Sequence, residues 1–145
     1  MFVKDILAGK PQGNIYSVSS DDTVASAAQL LSTKRIGAVI VSDGGAALDG
    51  ILSERDIVRE IGKSGTGCLS GNVSALMTAK VQTCGPADPT TQVLERMTEG
   101  RFRHMPVLDD GKLVGVISIG DVVAARIKEV EFENNVMVEM FTGQV

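Results

Sequence analysis

The stretch GVISIGD, Gly115 to Asp121, runs from a glycine through an aliphatic strand to a serine, with an aspartate three residues further on. Sixty-five positions earlier stands GILSERD, Gly50 to Asp56, with the same plan. In each, the serine sits where a strand gives way to a helix and the aspartate falls in the first helical turn. A chain of 145 residues that spends this spacing twice is built from two copies of one unit.

Outward from the two motifs the copies continue to match. Residues 15–61 lie over 81–127 at an offset of 66 that drops to 65 after the turn. Asp22-Thr23 supplies an N-cap, and Val24, Ala27, Ala28 and Leu31 follow at i, i+3, i+4 and i+7, one face of a helix. In the second copy Asp88 can cap, Pro89 suits the first helical position, and Val93, Leu94 and Met97 form the stripe. Short aliphatic strands come next, AVIV (Ala38 to Val41) and HMPVL (His104 to Leu108). Hairpin-type turns at Asp43 to Gly45 and Asp109 to Gly111 lead into second strands carrying Ile51-Leu52 and Leu113 to Ile117. A helix closes each unit, with apolar faces expected at Ile57, Val58 and Ile61 and at Val122, Val123 and Ile127.

Between the copies, GKSGTGCLSGN (Gly62 to Asn72) reads as a flexible connection rather than an element. The expected division is residues 1–68, the first repeat with its N-terminal segment, then 69–128, then a C-terminal helical extension over 129–145. Neither copy can cover both faces of its small sheet alone. The expected fold is therefore α/β (α+β), with two small sheets and flanking helices packed about a pseudo-twofold axis.

Composition narrows the function classes. Apolar residues make up 43 % of the chain, enough to close a core of this size. The formal charge of −4 argues against a general affinity for nucleic acid, which needs clustered Lys and Arg. No apolar run is long enough to cross a membrane, and Lys4 and Asp5 interrupt the N-terminal hydrophobics, unlike a signal peptide. A cytoplasmic protein with no membrane partner is the expectation. Cys68 and Cys84 form no CxxC, and His104 is the single histidine, so neither a zinc centre nor a Ser/His/Asp triad has its parts. GKS at Gly62 to Ser64 imitates the tail of a P-loop, but Ile57 occupies the position of the required earlier glycine.

The Ser-x-x-Asp spacing has two readings. One is a capping box, in which the serine hydroxyl accepts the N3 N–H and the aspartate reaches back to the serine N–H. The other is a ligand site, in which the carboxylate accepts hydrogen bonds from a vicinal diol such as ribose while the hydroxyl and open helix N–H groups receive a phosphate. Both can hold together.

With VKDIL (Val3 to Leu7) and VSALMT (Val73 to Thr78) ahead of them, the two copies resemble a tandem pair of cystathionine beta-synthase (CBS) domains, a Bateman module. RHMPVLDDGKLVGVISIGD (Arg103 to Asp121) is a specific match and IGAVIVSDGGAALDGILSERD (Ile36 to Asp56) is nearly as good. The resemblance implies a non-enzymatic regulatory module that binds an adenosine ligand, such as AMP, ADP, ATP, NAD(H) or S-adenosylmethionine, in two clefts, with no metal required. It implies ribose contacts from Asp56 and Asp121, and ribose or phosphate contacts from Ser53 and Ser118. The segments Lys34 to Val39, with Lys34, Ile36, Gly37, Ala38 and Val39, and Phe102 to Pro106, with Arg103, His104, Met105 and Pro106, would line the adenine and phosphate ends, much of it through backbone groups. Arg55 stands inside the first motif where the second has Gly120, and Arg103 and His104 have Gly37 and Ala38 as counterparts. The expectation is that the Ser118/Asp121 cleft holds phosphate more strongly, with Arg103 and His104 beside it.

Tyr16 is a candidate for adenine stacking or for the core. Beyond Asp121, the residues Val123, Ile127, Val130, Asn134, Met137 and Phe141 alternate spacings of four and three, a heptad stripe. It fits a homodimer seam, or a tail folded back on its own core. The whole reads as a stand-alone pair sensing AMP or NAD(H) for a separate protein partner, with a ligand-free dimeric adaptor as the alternative.

Overall fold

A computed structural model describes residues 1–11, 15–44 and 47–143. The order is α1 (Val3–Ala8), β1 (Ser17–Val18), α2 (Val24–Lys34), β2 (Ala38–Val41), β3 (Gly50–Ser53) and α3 (Glu54–Ser64), then short 3-10 segments at Thr66–Ser70 and Val73–Ala75. The second half follows with α4 (Thr90–Gly100), β4 (His104–Asp109), β5 (Lys112–Ser118) and α5 (Ile119–Thr142). In the first sheet β1 runs parallel to β2, which pairs antiparallel with β3. The second sheet repeats the antiparallel pair as β4–β5, and a parallel bridge from Cys84 to Val107 stands where β1 would be. Asp110 and Gly111, both at positive φ, close the β4–β5 hairpin in two residues, as a type I′ turn requires. The expected turn at Asp43 to Gly45 lies partly outside the described residues.

Each core gathers the apolar stripe of one repeat and a leader from the other half of the chain. Val3 and Ile6 of α1 join Val93, Met97, Met105, Val107, Ile117 and Val122 in the second core. Val73 is buried in the first core with Val24, Leu31, Val39, Leu52 and Ile57, and Leu76 and Met77 pack against it. Backbone hydrogen bonds repeat this crossing symmetrically. The Val73 N–H donates to the Asp22 carbonyl at 2.8 Å, and the Val3 N–H to the Asp88 carbonyl at 2.9 Å. The first N–H of α2, at Val24, donates to the Gly71 carbonyl, and that of α4, at Thr90, to the Met1 carbonyl. The second pairing explains the start of α4. Pro89 is the N-cap rather than the first helical residue, and Asp88 accepts the Gly85 N–H instead of capping.

The segment expected to be a flexible link is structured. Gly62 to Ser64 finish α3, and Thr66–Ser70 turn as a 3-10 helix with Leu69 against the first core. It must place Gly71 and Val73 on α2, which an unstructured chain would do at a cost in entropy. The closing helices bury less than their periodicity implies, because Val58 (68 % exposed), Val123 and Ile127 turn outward while Ile57, Val122 and Ala125 face the cores. Cys84 is buried, which pushes its thiol up to about 11, with Asp88 adding to the shift.

The motif glycines make the crossing possible. A Cβ on Gly115 would meet Leu7 Cδ2 at 2.6 Å, and one on Gly50 would meet Met77 Sδ at 2.8 Å and the Thr78 carbonyl oxygen at 2.9 Å. Leu7 and Met77 are equivalent residues of the two leaders. The Thr78 carbonyl is held by the Ile51 N–H, so it cannot swing away as the Leu7 tip can. Gly50→Ala is expected to cost about 1–3 kcal/mol, in the range for overpacked cores, and Gly115→Ala less. Urea unfolding checks the order; equal loss in the two variants would contradict it.

Candidate functional site

Two clefts open between the repeats, of about 320 and 310 Å³. Each takes its carboxylate motif from one repeat and its far wall from the other. In the Asp56 cleft, Ser53 and Asp56 face Arg101, Phe102, Arg103 and His104. In the Asp121 cleft, Ser118 and Asp121 face Tyr16, Arg35 and the run from Ile36 to Val39. Gly37, Ile51 and His104 border both, so the two clefts share a wall.

Both motifs form complete capping boxes. The Ser53 N–H donates to Asp56 Oδ2 at 3.0 Å and the Asp56 N–H to Ser53 Oγ at 3.2 Å; at Ser118 and Asp121 the distances are 2.9 and 3.1 Å. The first N–H of each helix is also taken, Glu54 by the Gly37 carbonyl and Ile119 by the Arg103 carbonyl. The box uses one carboxylate oxygen of each pair. Asp121 Oδ1 accepts no hydrogen bond among the described residues, and Asp56 Oδ1 accepts from Arg59 Nη1 at 3.2 Å. A carboxylate fixed by its cap keeps unused acceptor lone pairs, so capping and diol binding are compatible chemistry.

A lysine stands in each cleft at equivalent places in the two leaders. Lys10 Nζ donates to Asp121 Oδ2 at 2.7 Å and to the Val116 carbonyl at 2.9 Å. Burial raises the Asp121 carboxyl, but the Lys10 hydrogen bond, the Ser118 N–H and the Lys10 charge outweigh it and hold the group below the usual value. Lys80, the counterpart, lines the Asp56 cleft. His104 lies against Gly37, where a Cβ would come within 2.9 Å of its Cε1. Burial pushes the His104 imidazole below its ordinary value, against the pull of Glu54 and Asp121 and with help from Lys10 and Arg103.

The structure brings Gly37, Ser53, Arg55, Asp56, Arg103 and His104 to one cleft, and Ile36, Gly37, Ala38, Val39, His104, Ser118 and Asp121 to the other. Three expected residues stand elsewhere. Met105 is fully buried in the second core, Pro106 is buried beside it with its carbonyl accepting the Cys84 N–H, and Lys34 lays its ammonium over the Tyr16 ring at 5.4 Å. Arg103 faces Asp56 rather than Asp121, the reverse of the expected pairing, because the β4 end of the second repeat forms the far wall of the first repeat's cleft. Tyr16 packs against the first core and also lines the Asp121 cleft, so both of its expected placements hold. Lys10, Lys80 and Arg101 went unread, and Arg35 was covered only as part of the segment Lys34 to Val39. Their signal is the repeat itself: the leaders end in lysine 70 positions apart, and the two arginines are 66 apart at left-handed helix ends, with φ of 54° and 55°.

Comparison with known proteins agrees with this geometry. The CBS domain family model matches residues 3–63 and 73–128. The chain belongs to the CBS domain family. A CBS-domain-containing protein of Agrobacterium tumefaciens is 44 % identical with a TM-score of 0.83, over 87 % of this chain and 99 % of that one. A CBS domain pair solved in complex with 5′-methylthioadenosine and S-adenosyl-L-methionine is 25 % identical with a TM-score of 0.76, over 89 % of this chain and 98 % of that one. A mitochondrial CBS domain-containing protein of Arabidopsis thaliana is 34 % identical over 88 % of this CBS pair, which spans 65 % of that relative's length. Among the described residues no helix is long and apolar enough to cross a membrane, and no three His, Cys, Asp or Glu side chains gather as a metal site.

The His104 environment makes stability depend on pH. With the folded value depressed, the unfolded chain binds the proton first, so this contribution is complete above the unfolded value near 6.5 and is lost as pH falls from there through the lower folded value. Wild-type stability to urea is expected to drop between pH 7.5 and 5.5 by more than that of His104→Gln; parallel pH profiles would contradict this placement.

Proposed function

We propose that this CBS pair is a regulatory module that binds adenosine nucleotides in its two clefts and passes their presence to a partner protein. AMP, ADP or ATP, and NAD(H) are the candidate ligands. The observation that carries the reading is the pair of capped carboxylates, each facing a concave wall from the other repeat with one aromatic ring, Phe102 or Tyr16, at hand for a base. The relative solved with two adenosine-containing ligands supports the same class. A ligand seated there touches both repeats at once, and its affinity for one relative placement over another would shift their angle.

The module acts as a homodimer in this reading. From Val130 to Phe141, α5 leaves its own core, with the stripe of Val130, Met137 and Phe141 exposed and Phe141 at 87 %. A tail folded back on the same chain is not what the helix does.

A ligand-free adaptor is the second reading, favoured by the completeness of both capping boxes. Mass spectrometry of nucleotide released on denaturation, followed by melting against AMP, ADP, ATP, NAD, NADH and S-adenosylmethionine, separates the two. The sensor reading expects a nucleotide that raises the Tm, with the rise lost in the Asp56→Asn/Asp121→Asn double variant. An empty protein unmoved by all six would favour the adaptor. For the dimer, sedimentation at micromolar concentration is expected to show twice the chain mass, halved by Val130→Glu/Met137→Glu; a monomeric parent would refute it.

A further inference from the structure

The two clefts are nearly equal in volume and unequal in charge. Five cationic side chains line the Asp56 cleft, Arg55, Arg59, Lys80, Arg101 and Arg103, against the carboxylates Glu54 and Asp56. The Asp121 cleft has Lys10 and Arg35 against Asp121. Two of these cations are common to both by the repeat, Lys80 with Lys10 and Arg101 with Arg35. The other three are not. Arg55, Arg59 and Arg103 have Gly120, Ala124 and Gly37 as their counterparts. Arg55 and Arg59 come from α3 and Arg103 from the approach to β4, on opposite walls, yet all three converge on one cleft.

Their charge is largely uncommitted. Arg59 pairs with Asp56, while Arg55, Lys80, Arg101 and Arg103 have no carboxylate within 4.0 Å among the described residues. In the other cleft Lys10 is already bound to Asp121 and to the Val116 carbonyl. Guanidinium groups match phosphate oxygens in a two-pronged geometry, and several on facing walls can grip adjacent phosphates together.

Resting on the adenosine-site reading, we propose that the clefts divide ligands by charge: the Asp56 cleft takes adenosine di- or triphosphate, and the Asp121 cleft takes an adenosine compound without a polyphosphate. The phosphates lie between Arg55 and Arg103, and the ribose lies on Asp56. In the Asp121 cleft a polyphosphate would find Lys10 engaged and Arg35 alone, so its extra charge gains little there.

Isothermal titration calorimetry with ADP and with adenosine tests the division on the intact protein. ADP is expected to bind with an affinity that falls as salt rises, and adenosine with one that changes little. Arg55→Ala and Arg103→Ala should each weaken ADP by about tenfold and leave adenosine within about twofold, since single charge-assisted hydrogen bonds carry effects of this order. Asp121→Asn should weaken adenosine and spare ADP. Adenosine weakened by Arg55→Ala and Arg103→Ala as much as ADP is, or tight ADP binding lost in Asp121→Asn and untouched in Arg55→Ala and Arg103→Ala, overturns the division while leaving the adenosine site standing. Pyrophosphate binding as tightly as ADP would overturn it as well, by marking a plain anion patch. Absence of binding by both probes would overturn the site reading itself.

Discussion

The crossing of the two leaders is the constraint on which the rest of the molecule depends. The segment from Met1 to Lys10 lies on the second repeat and the segment from Gly71 to Lys80 on the first, each lending a carbonyl to the open end of a helix and a valine to a core. Neither repeat closes its core or its helix end without the other's leader. The glycine of each G-h-h-S-x-x-D motif follows from this packing, since a side chain at Gly50 or Gly115 would occupy the space of Met77 or Leu7. Serine and aspartate, two and five residues beyond the aliphatic pair's start, then cap the helix that the strand feeds.

The clefts are the outer consequence of that seam. Because each leader ends in a lysine beside the opposite repeat's carboxylate motif, every cleft is assembled from a leader, a sheet end, a helix N-terminus and the far wall of the partner repeat. No cleft belongs to one repeat. His104 lies against Gly37 and borders both clefts. Under the proposed function, a ligand in either cleft would touch both half-molecules and so could change their relative placement.

What the sequence made legible was local. The repeat, the helices begun at Thr23, Ser53 and Ser118, the Asp110-Gly111 hairpin and the long final helix depend on residues within a few positions of each other, and these were found at their places. What escaped depends on partners far along the chain. Pro89 lost the first helical position because Met1 supplies the bond; the glycine-rich stretch after α3 became ordered because Gly71 and Val73 have docking duties; Val58 turned outward because Ile57 took the core. For the site, Ser53, Asp56, Ser118 and Asp121 were marked by their spacing, while Lys10 and Lys80 lay just past the segments that were read. Arg103 was assigned to the wrong cleft for the same reason: a repeat reveals which positions are equivalent but not which copy faces which.

The most direct test of the account is a crystal structure of the full chain grown with AMP. The account expects a ribose with its diol on the carboxylate of Asp56, Asp121 or both, the base against Phe102 or Tyr16, and contacts from both repeats to each bound molecule. AMP seated away from both carboxylates, or held by residues of one repeat alone, would contradict the claim that the crossed seam is the binding site.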